Sequence, residues 1–269
     1  MPPAFIDWIS FTSLRQPPCD RPASELGKLV ARFVQISAFV RRHVLSENNP
    51  KTSYILRQLA RLDQDLRAWE SSVAAEAEWL FKRVRDYSLP RQAVFDGEYH
   101  VYNDLWTARL WNHYRWARVL TNQLMLDFVN RYPLASLPIL SVAQQSDCYE
   151  TIRRIARDTL VSVPSHWRHP LLPQEHPIPV EKAGTAGSGA AGIPPVLFQV
   201  KVAACAPGVP LEYWEWAVDF VQCVWGDMGM MHALSMMETL TAHRDAIENS
   251  NPDNFLAHHR EYGGIYRPL

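Results

Sequence analysis

The chain has 269 residues, with 27 Lys and Arg against 28 Asp and Glu and a formal net charge of −1. Hydrophobic residues make up 47% and charged residues 20%, which is typical of a folded globular protein and not of a disordered chain. The balanced charge argues against a broad electrostatic grip on nucleic acid. No stretch approaches the ~18 uninterrupted apolar residues of a membrane helix, and the N-terminus MPPAFIDWISF lacks the pattern of a secretory signal.

The four cysteines, Cys19, Cys148, Cys205 and Cys223, stand far apart. No C-x-x-C pair exists, which argues against a cysteine zinc site. The chain is long enough to bury its own core, so a secreted disulfide framework is also not expected. We expect reduced thiols in the cytosol or the nucleus.

The first half of the chain predicts helices separated by proline-rich joints. Residues 1–20 contain four prolines and read as an irregular N-terminal segment. Apolar residues at steps of three and four predict helices over 24–45 and 53–87, the second with a kink near 63–65. A turn, SLPRQAVFDG, then precedes a third helix over 98–131.

The second half predicts a helix over 143–163, stopped by a proline, and a long apolar helix over 211–243. Residues 169–195 are rich in Pro, Gly and Ala and predict a mobile loop. The following VLFQVKVAA is ambiguous between strand and helix, and 249–269 read as an extended tail. Together these patterns predict an all-α fold, a multi-helix bundle or superhelical array with one long Pro/Gly-rich loop, in which 21–248 form a single domain.

Chemical motifs are scarce. No HExxH, GxSxG, P-loop or GxGxxG occurs, and the run GTAGSGAAG is interpreted as a flexible linker. His166 and His169 are three apart but have no carboxylate at ligand spacing, and His258 and His259 are adjacent. We therefore expect solvent-facing or capping histidines, and no catalytic residue, metal or cofactor.

Two further clusters have structural interpretations. Arg153, Arg154, Arg157 and Arg168 are capable of touching phosphates, but pairing with carboxylates and stacking on aromatic rings is the preferred interpretation. Five of the seven methionines lie within 228–237. They indicate a helical core, with an adaptable surface for partners or apolar ligands as the alternative.

Three segments resemble fungal transcription-factor-like proteins that carry a binuclear zinc cluster of six cysteines at the N-terminus. Residues 98–124, EYHVYNDLWTARLWNHYRWARVLTNQL, match an aromatic-rich "vY.DlW.A..WN.yR..Ri" run. The matching residues there are Val101, Tyr102, Asp104, Leu105, Trp106, Ala108, Trp111, Asn112, Tyr114, Arg115 and Arg118. A second segment matches through Ile152, Ile155, Ala156, Asp158, Ser162, Val163 and Pro164. A third matches through Trp216, Val224, Met228, Gly229 and Ala233. The resemblance covers about residues 55–240.

The resemblance implies a nuclear protein linked to fungal transcription, of which 21–248 would be the helical regulatory domain. The six closely spaced cysteines are absent, so the resemblance transfers no zinc ligand or base-reading residue. Regulation is then expected through contacts with other transcription regulators, with a homo- or hetero-oligomeric partner, or with a small apolar effector in a pocket lined by Trp and Met. Direct DNA binding and membrane association are not expected. Whether the chain is a truncated gene product or a stand-alone regulator stays open.

An alternative is a helical small-molecule-binding protein or an enzyme of a fungal pathway. A deep cleft with converging polar groups of perturbed pKa would favour it, whereas a filled helical core would not.

The matched residues have physical roles that are independent of the resemblance. Trp106, Trp111, Tyr114 and Trp116 place a large apolar area on one helix. Asn112 and Arg115 lie on another face, suited to bridging to a neighbouring helix or capping its carbonyls. Gly229 inside a helix costs ~1 kcal/mol against Ala, which indicates a close helix crossing or a kink. Twelve matched residues are thus predicted to be structural: Tyr102, Asp104, Trp106, Trp111, Asn112, Tyr114, Arg115, Arg118, Ser162, Pro164, Met228 and Gly229.

Overall fold

The computed structural model describes residues 20–43, 51–76, 79–173 and 192–248. In these ranges the fold is mostly α-helical, as predicted, with eight helices and one two-stranded sheet. The helices are α1 (Arg21–His43), α2 (Thr52–Val73), α3 (Leu105–Arg131), α4 (Pro133–Ser136), α5 (Val142–Ser162), α6 (Ile193–Ala204), α7 (Leu211–Met228) and α8 (Met231–Glu248). The strands are β1 (Phe81–Arg85) and β2 (Glu98–Tyr102), and 3-10 turns occupy Phe95–Gly97 and Val163–Ser165.

Several predicted segments lie outside the described residues. These are most of the N-terminal segment 1–20, the central part of the loop 169–195, and the tail 249–269 with His258 and His259. The described ends of the loop are ordered: the Leu172 side chain is buried beside the hairpin, and α6 begins at Ile193.

An antiparallel hairpin lies where the sequence predicts the end of one helix and the start of the next. The helix predicted over 53–87 ends at Val73, and the one predicted over 98–131 begins at Leu105. Between them β1 pairs with β2, with Phe81 opposite Tyr102. Each strand has only five residues, too few for a convincing alternation of apolar and polar residues, and β2 is buried on both faces. The predicted turn before β2 is confirmed, since Asp96 and Gly97 both have positive φ values, 54° and 61°.

Helix α2 is continuous, so the kink predicted near 63–65 is wrong. The charged residues there have partners on other helices. Asp63 is buried and accepts from Arg118 on α3, while Asp65 pairs with Arg32 on α1 at 2.6 Å. Acidic residues that interrupt the apolar pattern therefore mark helix contacts and not a bend.

The helix predicted over 211–243 is two helices, α7 and α8, separated at Gly229. Gly229 has a left-handed backbone (φ 61°), and its N–H donates to the carbonyl of Trp225 at 2.8 Å, which closes α7. No atom lies within 4 Å of the position that a Cβ would take, so a close helix crossing is not the reason for this glycine. The ambiguous VLFQVKVAA is helical and belongs to α6, most of which is buried.

A small apolar cluster lies beside the hairpin, and two larger clusters form most of the core, with α5 contributing to both. One joins α1, α2, α3 and α5 around Leu59, Leu66 and Ile152. The other joins α5 to α6, α7 and α8 around Leu160 and Phe220. Helix α3 packs against α2, α5 and α6, so it is surrounded by protein along most of its length. None of the helices in the described ranges is long and apolar enough to cross a lipid bilayer.

We predict opposite effects for two glycine substitutions at the end of α7. Gly229→Ala should lower the free energy of unfolding by about 1–2 kcal/mol, because an alanine must adopt the left-handed backbone there. Gly226→Ala should raise it by about 0.5–1 kcal/mol, since Gly226 is helical, exposed and free of neighbours within 4 Å. Urea denaturation followed by circular dichroism measures both values. Equal effects would contradict the assignment of Gly229 as the helix cap.

Candidate functional site

Four polar side chains on α3 point into the protein. Asn112, Arg115, Arg118 and Asn122 are spaced by three or four residues, so they share one face of the helix. All four are at most 2% exposed. The face predicted to lie apart from the apolar stripe is therefore also buried, and its polar groups need partners inside the protein.

Arg118 forms ion pairs with α2. Its Nε lies 3.1 Å from an oxygen of Asp63, and its Nη1 lies 2.7 Å from an oxygen of Glu70. Asn122 donates to the same Asp63 oxygen at 2.7 Å, and Tyr114 accepts from Arg118 at 2.5 Å. Burial disfavours the Glu70 carboxylate, but its hydrogen bond with Tyr114 and nearby arginine charges outweigh burial, so the pKa of Glu70 is lowered.

Arg115 has polar but uncharged partners. Its Nη1 donates to the Tyr102 hydroxyl at 2.7 Å and to Asn112 Oδ1 at 2.6 Å, and its Nη2 lies 3.2 Å from Nδ1 of His100. Within the described residues no carboxylate lies within 4.0 Å of its guanidinium. Three rings, those of Phe81, Tyr102 and Trp111, surround it at 5.4, 5.8 and 6.0 Å from the ring centroids.

Two buried histidines adjoin this arginine. Asn112 Nδ2 lies 2.9 Å from the Ser162 hydroxyl and 2.8 Å from Nε2 of His166, which connects α3 to the end of α5. Burial and the charge of Arg115 lower the pKa of His166 to about 3. The same two causes lower the pKa of His100 far below its usual value. Both rings are thus neutral at physiological pH.

The expectation of solvent-facing histidines is wrong for the two that are described. His166 is fully buried, and His169 is 4% exposed. His169 does accept from the backbone N–H of Leu171, a local capping role, at 3.1 Å. The Trp167 ring contacts the His169 ring and packs against Phe220 of α7.

Ion pairs connect the hairpin to α5. Arg83 on β1 donates to Asp158 on α5 at 3.1 Å. Glu98 on β2 is almost fully buried and lies 3.3 Å from both Arg85 and Arg157. Arg157 also pairs with Asp96 in the turn, and the other arginines of its cluster pair at the surface: Arg153 with Glu150, and Arg154 with Glu70. Arg168 donates to the carbonyl of Pro173.

A cleft of about 300 Å³ lies where α2, β1, α3 and α5 meet. Its lining combines aromatic, aliphatic and charged side chains: Glu70, Ala74, Leu80, Phe81, Arg83, Trp111, Tyr114, Arg115, Ile155 and Asp158. The first and second matched segments both contribute to this wall. No methionine is among these lining residues, unlike the predicted pocket of Trp and Met.

The twelve matched residues fall into three groups. Eight are buried where α3, β2 and the end of α5 meet: Tyr102, Trp111, Asn112, Tyr114, Arg115, Arg118, Ser162 and Pro164. Met228 and Gly229 are remote from them, at the end of α7. Asp104 and Trp106 are exposed at the start of α3, which Asp104 caps by accepting from the N–H of Thr107 at 2.7 Å.

The predicted apolar stripe is wrong at Trp106, because the side chain of this residue is 57% exposed. It lies in the first turn of α3, where the helix has only just emerged from the hairpin. Its neighbours Leu105, Thr107 and Ala108 are buried.

Sequence reasoning missed four members of this site: Asp63, Glu70, Arg83 and His100. A signal existed for the first two, because Asp63 and Glu70 are seven apart on the same face of α2 as Leu59, Leu62 and Leu66. No comparable signal marked Arg83 and His100, since their positions depend on the unpredicted hairpin.

No protein-family model matches the sequence, and comparisons with curated proteins and with solved structures gave no match. Within the described residues, no group of three or more His, Cys, Asp or Glu side chains is arranged to hold a metal ion. The three described cysteines are free thiols. The chemical features of the site are therefore the two buried arginines and the cleft beside them.

We predict that His166 makes the protein less stable in acid. The unfolded chain binds a proton at His166 near pH 6.5, whereas the folded protein does so only near pH 3. Stability from this group is complete above pH 6.5 and is lost as the pH falls toward 3. His166→Gln should remove about 1–3 kcal/mol of the stability difference between pH 7 and pH 4, measured by urea denaturation at each pH.

Val142→Gln is the control, because Val142 is 71% exposed at the start of α5 and neither its side chain nor the glutamine titrates. That variant should retain the wild-type dependence on pH. An unchanged pH dependence in His166→Gln would show that His166 is not the group that resists protonation.

Proposed function

We propose that this protein is a transcription regulator that resembles the regulatory region of fungal zinc-cluster factors. It would act in the nucleus through protein or effector contacts and would not read DNA itself. The proposal rests on the resemblance of the three segments and on the shortage of cysteines.

One observation supports the proposal most directly. Residues of two matched segments, about 50 positions apart, meet in a single buried network: Asn112 lies 2.9 Å from the Ser162 hydroxyl. In the same region Tyr102 accepts from Arg115, and Trp111 and Ile155 line one cleft. The first and second matched segments contact each other in the folded protein. This contact gives a structural reason for the two segments to occur together in one chain.

Exposed Trp106 supports a role in protein contacts. It is a matched residue, yet more than half of its side chain is accessible. Tryptophan on a surface supplies a large contact area and is enriched among residues that dominate binding energies at interfaces. Asp104 fixes the start of α3 two residues away, so the position of Trp106 is defined.

The cleft favours a second candidate function, a helical small-molecule-binding protein or enzyme. Its wall brings together the charged groups of Glu70, Arg83, Arg115 and Asp158 with Trp111. Convergence of polar and aromatic side chains in one concave site is typical of ligand sites. The two candidates are compatible if the ligand is an effector of the regulator.

We predict that the chain changes transcription when it is brought to a promoter. The full chain, fused to a heterologous DNA-binding domain in a fungal host, should activate or repress a reporter gene and accumulate in the nucleus. Trp106→Ala should weaken partner binding by roughly tenfold or more and reduce the reporter effect, with no loss of thermal stability.

Tyr54→Ala is the matched control, because Tyr54 is 60% exposed on α2 and lies outside the matched segments. A stably expressed fusion with no effect on either an activation or a repression reporter would contradict the regulator proposal. Specific binding of the purified chain to a DNA site at physiological salt would contradict the part that excludes DNA reading.

A further inference from the structure

We propose that the cleft binds a small organic acid with an aromatic body, and that Arg115 holds its carboxylate. This inference deepens the proposed function by naming the chemical class of the effector. It is carried by the charge of the cleft wall, the unused donors of Arg115 and the chemistry of the other lining residues.

The charges around the cleft are not balanced within the part of the chain that the structure describes. Six guanidinium groups lie in this cluster: Arg83, Arg85, Arg115, Arg118, Arg154 and Arg157. They face five carboxylates: Asp63, Glu70, Asp96, Glu98 and Asp158. Every one of these arginines except Arg115 has a carboxylate within 4.0 Å. Within this cluster, the buried guanidinium without a carboxylate partner is therefore that of Arg115, which lines the cleft.

Arg115 also has hydrogen-bonding capacity left. A guanidinium carries five N–H donors. Two on Nη1 are directed to Tyr102 and Asn112, and one on Nη2 faces His100. The Nε–H and a second Nη2–H have no partner within the described residues. Two donors of one planar guanidinium suit the two oxygens of a carboxylate.

The guanidinium is held in place before any ligand arrives. Its partners come from β2 and from α3 itself, and three aromatic rings enclose it. A fixed side chain loses little conformational freedom on binding, which favours affinity. The neutral His100 ring adds no competing positive charge at this point.

The other lining residues indicate what the ligand carries besides its carboxylate. Phe81, Trp111 and Ile155 offer apolar and aromatic surface, and Leu80 at 47% exposure lies at the rim. Glu70 and Asp158 are already paired with arginines, so their oxygens suit a ligand hydroxyl and do not need a second cation. About 300 Å³ is at the lower end of the range for ligand sites, which matches a single aromatic ring or an indole with a short acid side chain.

Isothermal titration calorimetry on the purified full chain tests this inference with three acids and their matched amides. The acids are benzoate, 4-hydroxyphenylacetate and indole-3-acetate; the neutral probes are benzamide, 4-hydroxyphenylacetamide and indole-3-acetamide. At least one acid should bind with a Kd below about 1 mM and about tenfold or more tighter than its amide. Failure of every acid to bind in this range, or equal binding of acid and amide, would overturn the inference.

Two variants locate the site. Arg115→Gln should abolish the preference for acid over amide, and Arg115→Lys should retain part of it; circular dichroism tests whether each variant is folded. Ala74→Phe blocks the cleft from an exposed position at the end of α2, so it should abolish binding even if the Arg115 variants do not fold.

Ala143→Phe is the matched control, because Ala143 is exposed at the start of α5 and does not line the cleft. It should bind like the wild type, and wild-type binding by Ala74→Phe would place the acid elsewhere and overturn the inference. Acid binding together with an inactive reporter fusion would retain this site and reject the proposed function. An active reporter without acid binding would do the reverse.

Discussion

Two arginines on α3, Arg115 and Arg118, are buried one turn apart, and the rest of the architecture depends on this constraint. Each guanidinium taken out of water costs several kcal/mol unless the protein supplies partners. Arg118 receives its partners, Asp63 and Glu70, from α2. Arg115 receives the Tyr102 hydroxyl and the His100 ring from β2. The positions of α2 and the hairpin against α3 are thus set by electrostatics as well as by apolar packing.

The same constraint explains why a helical protein contains a hairpin. β1 and β2 lie over α3 at Arg115, whose guanidinium has no hydrogen-bond partner on another helix within the described residues, and they bring Phe81 and Tyr102 to it. The hairpin is joined in turn to α5, through Arg83 with Asp158 and through Glu98 with Arg157. Glu98 and Asp158 are buried while their arginine partners are partly exposed, so removing an arginine leaves a buried carboxylate without its counter-charge. These contacts therefore act together as a framework around the cleft.

The sequence predicts the elements whose apolar pattern is one-sided and uninterrupted. α1 and α5 were predicted within three residues of their observed bounds because each shows steps of three and four and a clear end. The hairpin was not predicted, since the continuing Ala and Glu residues after Val73 favour helix locally, and the buried contact of Trp79 with Trp111 reverses that preference only in the folded protein. The break at Gly229 shows the same limit. Gly229 was noted as a possible kink, but the apolar pattern continues on both sides of it, so the end of α7 and the start of α8 were not predicted.

The sequence predicted only part of the site, for a related reason. Asn112, Arg115 and Arg118 were singled out, but charged residues on a helix are usually solvated, and only the packing of α2 and β2 shows that these are buried. What separates the two arginines is equally invisible in sequence, because they are three residues apart on one face. Arg118 has fixed carboxylates and is complete as a structural ion pair. Arg115 is compensated only by dipoles and rings, which stabilise a cation less than a carboxylate does. A buried cation without a carboxylate partner, beside a cleft, is suited to reversible binding of an anion. This difference in partners distinguishes Arg115, a binding residue, from Arg118, a structural one.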